Sequence, residues 1–254
     1  MKRVVAVALL VAGLSVPALA CSAEVVVALT GQASSVDSSA GQVSAVRVAA
    51  QSVTPGPAGQ AGVDEVPQMI RDMARWIVAS DDHQQMPFIV VDKARAEVFL
   101  FDQAGQFLQV SPALLGLANG DALSPGMGTR KLSSIRPAER TTPAGRFPAS
   151  LDLNLHGDRV LWIDDDSGVA LHPVITTNPS ERRRERLASK TPDDNRITYG
   201  CINVDEAFFE KIVVPQFRAS GGIVYILPES AAIDQVFGSM AAEFLSVRGS
   251  KPSQ

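Results

Sequence analysis

The sequence predicts a mainly β domain, an antiparallel β-sandwich with a few added helices. Many short runs are rich in Val, Ile, Leu and Phe, turn residues separate them, and few segments carry a helical period. The 254 residues are 46% hydrophobic, enough for one good core.

The elements follow in chain order. Lys2 and Arg3 precede an apolar run, Val4 to Val16, and the small-x-small triplet Ala18-Leu19-Ala20. Residues 1–20 therefore read as a secretory signal peptide, too short to span a bilayer. Cleavage after Ala20 leaves Cys21 first, either lipidated as in bacterial lipoproteins or free. Membrane attachment follows only from the lipidated form. Residues 21–63 are rich in Ala, Ser, Val, Gly and Gln, include Pro55-Gly56-Pro57, and read as a low-complexity tether. Across 64–80, Val66, Met69, Ile70, Met73, Trp76 and Ile77 form a helical stripe, opened by Asp64-Glu65 with Pro67 in the first turn.

Strand patterns begin at Phe88-Ile89-Val90-Val91. Glu97 to Phe101 and Gln106 to Val110 follow, joined by the turn Asp102 to Gly105. Arg146-Phe147, Val160 to Ile163, Gly168 to Val174 and Gly222 to Leu227 complete a domain over 87–228. Asp205 is an N-cap for a helix from Glu206 to Val214, with Ala207, Phe208, Phe209 and Ile212 turned inward. Residues 229–254 hold a second amphipathic helix, Ala231 to Val247, and a disordered tail from Arg248. The formal charge is −4, and −6 without Lys2 and Arg3. An acidic total argues against a nucleic-acid partner.

The candidate chemistry centres on Thr198-Tyr199-Gly200-Cys201-Ile202-Asn203. Cys201 is the single cysteine of the expected mature body apart from Cys21. A lone thiol in an exported protein is more often reactive than structural. Thiol catalysis needs a base and donors for an oxyanion. Gly200 permits a tight turn, and the amides of Tyr199, Gly200 and Cys201 are the donor candidates. A helix capped by Asp205 stands close behind to favour a thiolate. Three histidines are available as base. His83 lies in a polar link and is set aside. His156 precedes Gly157 in a turn. His172 sits in the apolar strand Val169 to Val174, where pattern alone reads it as a satisfied core residue. No ligand cluster for a metal stands out, and no organic cofactor is implied.

These residues resemble the L,D-transpeptidases, the YkuD-type catalytic domain of bacterial cell-wall enzymes. That family carries a histidine and, further on, [Ser/Thr]-x-Gly-Cys-apolar-[Arg/Asn], which Thr198, Gly200, Cys201, Ile202 and Asn203 match. Its Thr-Pro-x-Gly-x-Phe element is similar to Thr142-Pro143-Ala144-Gly145-Arg146-Phe147, and its opening strands are similar to Ile89 to Asp92 and Val98 to Phe101. The resemblance implies a YkuD-like fold, Cys201 as nucleophile and His172 as base. It also implies a periplasmic or envelope enzyme acting on peptidoglycan stem peptides. Cys201 would attack before the terminal D-Ala and pass the acyl group to an amine, forming a 3→3 cross-link or attaching a wall-anchored lipoprotein. Thr198 and Asn203 shape the turn, with a supporting hydrogen bond as the plainer role for Asn203. Three alternatives stay open: a carboxypeptidase or cross-link hydrolase with the same site, a catalytically silent wall-binding module, and a papain-like protease, whose usual cysteine surroundings are absent.

Two departures stand out. Tyr199 occupies a position where the family often has histidine, and Pro173 follows His172 where glycine is usual. His172 also precedes Cys201 by 29 residues, a longer gap than the family usually shows. The extra segment, Asn178 to Asn195, includes Glu181-Arg182-Arg183-Arg184-Glu185-Arg186. It reads either as a solvated helix with Glu–Arg pairs or as a lid whose arginines meet substrate carboxylates.

Overall fold

Phe88–Asp92 (β1) and Glu97–Phe101 (β2) pair as antiparallel neighbours, and all but their end residues are buried. Such unbroken apolar runs need cover on both faces, and both faces have it. Ile89, Val91, Val98 and Leu100 enter an inner core with Leu171, Ile202, Val204 and Phe209. Phe88, Val90, Phe99 and Phe101 alternate outward onto helix α1 (Gln68–Ala79). The helix answers with Ile70, Met73, Ala74 and Ile77, the i, i+3, i+4, i+7 stripe of an amphipathic helix. Met69, expected on that stripe, is exposed at its edge. The structure, a computed structural model, describes residues 66–249. The expected signal segment 1–20, Cys21, the tether 21–63 and the Asp64-Glu65 helix start lie outside them.

The remaining strands are β3 (Phe107–Gly116), β4 (Gly145–Leu153), β5 (Arg159–Asp164), β6 (Val169–Pro173), β7 (Arg196–Thr198), β8 (Ile202–Val204) and β9 (Gly222–Ile226). Their order is β2-β1-β9-β4-β5-β6-β8-β3-β7, and β2 also pairs with β3. That extra pairing closes eight strands into a ring, so among the described residues only β7 stands outside it. The fold is mainly β with few helices, as the sequence predicts. It is not purely antiparallel: β1–β9, β6–β8 and β3–β7 run parallel. Parallel neighbours need a crossover connection. The long segment between His172 and Cys201 is the crossover that sets β8 alongside β6.

Several elements differ from expectation. β3 runs six residues past Val110, because its second half leaves β2 and pairs with β8 and β7. β7 and β8, three residues each, carry too little pattern to announce themselves. The helix after Asp205 comprises α3 (Glu206–Phe208), a π turn (Phe209–Val213) and α4 (Val214–Phe217). Asp205 caps it through Ala207 N and Phe208 N, while Ala207 itself faces solvent. The last helix divides into α5 (Ile233–Phe237) and α6 (Ser239–Gly249), split at Gly238, whose φ of +84° ends one helix before the next begins. His83 is also not in an exposed link. Asp81, Gln84 and Gln85 adopt positive φ, which folds the link back and buries His83 edge-on against Phe88, its Nε2–H donating to Gln103 O at 2.9 Å.

Candidate active site

Thr198 builds the turn that carries Cys201. Its Oγ1 donates to Cys201 O at 2.7 Å and accepts from Gly200 N at 3.1 Å. Between them, Gly200 holds φ at +138°, a conformation open to glycine and strained for other residues. A Cβ there would also stand 2.9 Å from Thr141 O. Thr142 fixes the turn from below: its Oγ1 accepts from Gly116 N at 2.9 Å and donates to Gly200 O at 3.0 Å. Tyr199 lies under the Arg140 guanidinium, 4.1 Å from ring centre to Cζ. Of the three amides named as oxyanion donors, that of Gly200 is thus occupied within the turn.

The register of β6 against β8 places the two candidate reactive side chains. Leu171 pairs with Ile202 and His172 with Asn203. Leu171, Ile202 and Val204 point into the inner core. His172 and Asn203 therefore share the opposite face, and strand alternation puts Cys201, two residues before Asn203, on that face diagonal to His172. His156, the alternative base, is exposed in the β4–β5 turn.

His172 is held at both nitrogens. Nδ1 lies 2.8 Å from Pro173 O. A carbonyl only accepts, so Nδ1 carries the proton and Nε2 offers a lone pair in the neutral ring. Asn203 Nδ2 donates to that lone pair at 3.0 Å. The orientation of this amide is fixed from its other end, because Arg183 Nη1, which only donates, meets Asn203 Oδ1 at 2.9 Å. Asn203 is thus a buried bridge between a cation and an imidazole, and its hydrogen bonds leave the turn to Thr198 and Thr142.

Arg183 comes from α2 (Arg183–Leu187), inside the 178–195 segment. The segment forms a short helix with most residues exposed or half-buried and one Glu–Arg pair, as the solvated reading expects, but it is anchored to the domain. Leu187 is buried, and Arg186 ties it down through Glu181 O and Asp194 O. Arg183, not Arg184 or Arg186, pairs with Glu181, at 2.5 Å. Sequence reasoning missed Arg183 because an alternating charge run normally marks a solvated face.

Cys201 is half-buried, and its thiol donates to Gly168 O at 3.5 Å. Burial pushes the thiol up from its ordinary 9.0, against the opposing pull of the Ala170 amide and the Arg183 charge. Burial holds the His172 imidazole below its ordinary 6.5, the Pro173 carbonyl opposes this, and Arg183 adds to it. A folded histidine that resists protonation loses stability as pH falls below about 6.5, because the unfolded chain takes the proton first. A folded thiol that resists ionisation loses stability as pH rises above about 9.0, because the unfolded chain releases the proton first. Urea midpoints are expected to form a plateau between these limits. Cys201→Ala should remove part of the alkaline decline and His172→Gln part of the acid one. Midpoints still rising with pH beyond 9 would contradict the thiol's burial.

Among the described residues, no group of three His, Cys, Asp or Glu side chains could hold a metal ion, and no helix is long and apolar enough to cross a membrane. No protein-family model matches the chain, and no curated protein matches it. Among solved structures, the chain is similar to the LD-transpeptidase LdtMt1 in complex with imipenem, at 15% identity and a TM-score of 0.30 over 56% of this chain. It is also similar to a mutant of the helical cell shape determining protein Pgp2 from Campylobacter jejuni, at 12% identity and a TM-score of 0.37 over 72% of this chain. The matches span 58% of the LdtMt1 chain and 64% of the Pgp2 chain, less than two thirds of either.

Proposed function

We propose that this chain is an exported peptidoglycan L,D-transpeptidase with Cys201 as nucleophile and His172 as base. The observation that carries the reading is the shared face of β6 and β8. There a thiol and an Nδ1-protonated imidazole lie diagonal to one another, beside a glycine turn. The motif blocks around Thr142 and Thr198 support it, since these two residues meet at Gly200.

In this reading, His172 Nε2 exchanges its Asn203 contact for the thiol proton. The thiolate attacks the carbonyl before the terminal D-residue of a tetrapeptide stem. A carbon–sulfur bond forms, and the oxyanion takes donors from the Tyr199 and Cys201 amides. The carbon–nitrogen bond then breaks, and Nε2 returns its proton to the leaving amine. An acceptor amine, on a second stem or a wall-anchored lipoprotein, attacks the thioester and loses its proton to Nε2, which restores the thiol.

A catalytically silent wall-binding module is the second reading, favoured by the resting engagement of Nε2 with Asn203 and of Sγ with Gly168 O. Incubation with tetrapeptide muropeptides separates the readings. Dimers linked 3→3 are expected. Tripeptides without dimers would show water as acceptor, making the chain a carboxypeptidase. Unchanged muropeptides that still bind would establish the silent module.

A further inference from the structure

The guanidinium of Arg183 is only partly used. Nη1 holds Asn203, and Nε meets one oxygen of Glu181, Oε2. No hydrogen bond among the described residues takes Nη2. Nε and Nη2 share one edge of the guanidinium, the edge that grips a carboxylate with two parallel hydrogen bonds. Glu181 fills half of it. Nor does α2 depend on this pair, since Leu187 and the carbonyl contacts of Arg186 already anchor the segment. The pair instead sets an anion beside one point of the site. The Arg183 side chain is 14% exposed and that of Glu181 35%, so the carboxylate is the partner with room to leave.

We propose that Arg183 anchors the free carboxylate of the substrate's leaving residue, and that Glu181 keeps this seat while substrate is absent. The proposal rests on the acyl-transfer reading for the place of the leaving amine. In a peptide cleaved before its last residue, the terminal carboxylate carbon is two bonds from the leaving nitrogen. The group that protonates the nitrogen and the group that binds the carboxylate must then be neighbours. His172 Nε2 and Arg183 Nη1 sit on the two ends of one Asn203 side-chain amide. The consequence is selectivity: the chain takes stems that end in a free carboxylate and refuses those in which it is already an amide, as in a closed cross-link.

The test is calorimetry on the full chain carrying Cys201→Ala, with a synthetic stem tetrapeptide as free acid and as C-terminal carboxamide. The free acid is expected to bind roughly ten- to a hundred-fold more tightly, the range of a charge-assisted hydrogen bond. Arg183→Gln should erase the difference. Glu181→Gln, which leaves the Asn203 contact intact, should tighten the acid several-fold and leave the amide unchanged. Equal affinity for acid and amide would overturn the anchor, as would discrimination that survives Arg183→Gln. An acid affinity unmoved by Glu181→Gln would remove the role given to Glu181. Turnover assays keep the two proposals apart. A Cys201 protein that cleaves acid and amide equally loses the anchor and keeps the transpeptidase. One that binds the acid selectively without cleaving it keeps the anchor and loses the transpeptidase.

Discussion

Replacing Lys93 by methionine is expected to lower the unfolding free energy by about 3–5 kcal/mol. Lys93 has no solvent exposure, and its ammonium spends three donors on three acceptors: Gly120 O at 2.7 Å, Asp121 Oδ1 at 2.7 Å and Thr142 O at 3.0 Å. Methionine fills similar space but leaves Asp121 without its cation. Burial alone would raise the Asp121 carboxyl, yet Lys93, Ser230 and the amides of Glu229 and Ala231 hold it well below the usual carboxylate range. Such a carboxylate contributes stability above its ordinary pKa, lost as pH falls through the folded value. The variant should therefore show a smaller acid-side loss as well as a lower urea midpoint. Glu229 retains Arg196, at 2.5 Å, so damage should concentrate at Asp121. The site should suffer too, because the carbonyl held by Lys93 belongs to Thr142, whose hydroxyl holds Gly200 O. A variant as stable as the parent would show that the neighbouring amides satisfy Asp121 unaided.

Cys201→Ala is expected to abolish acyl transfer, a loss on the order of 10⁴-fold or more for removal of a nucleophile, with little change in stability. The sulfur makes one long hydrogen bond, to Gly168 O, whereas the turn is held by Thr198 and Thr142. Mass spectrometry of a Cys21→Ser protein incubated with a stem tetrapeptide should show one adduct, at Cys201. Residual transfer within ten-fold of the parent would exclude Cys201 as the nucleophile.

Much of the fold is legible because burial on both faces writes itself as continuous apolar runs. Phe88 to Val91, Val98 to Phe101 and Ile223 to Ile226 are short apolar runs bounded by turn residues, and each is a strand covered on both faces. The parallel pairings are not legible, because register between β6 and β8 depends on a crossover whose shape no local pattern encodes. At the site, Cys201, Gly200 and Thr198 stand in a row, so local chemistry exposes them. Asn203 stands in the same row, but its partner Arg183 does not: that contact spans 20 residues along the chain. His83 misled because polar neighbours suggest water, whereas three left-handed residues turn the link inward.

The closure of the ring has a consequence for how the site comes into being. β3 meets β2 across a hairpin, but it meets β8 through Ala113 and Val204, some ninety residues apart. Contacts over such separations form slowly, after local ones. The proposed nucleophile directly precedes β8 and the proposed base lies on β6, two strands joined only by a long crossover, with β8 locked in place by β3. On the proposed reading, a nascent or truncated chain would hold its sulfur with nothing to prime it, so reactivity would arrive only with the finished architecture.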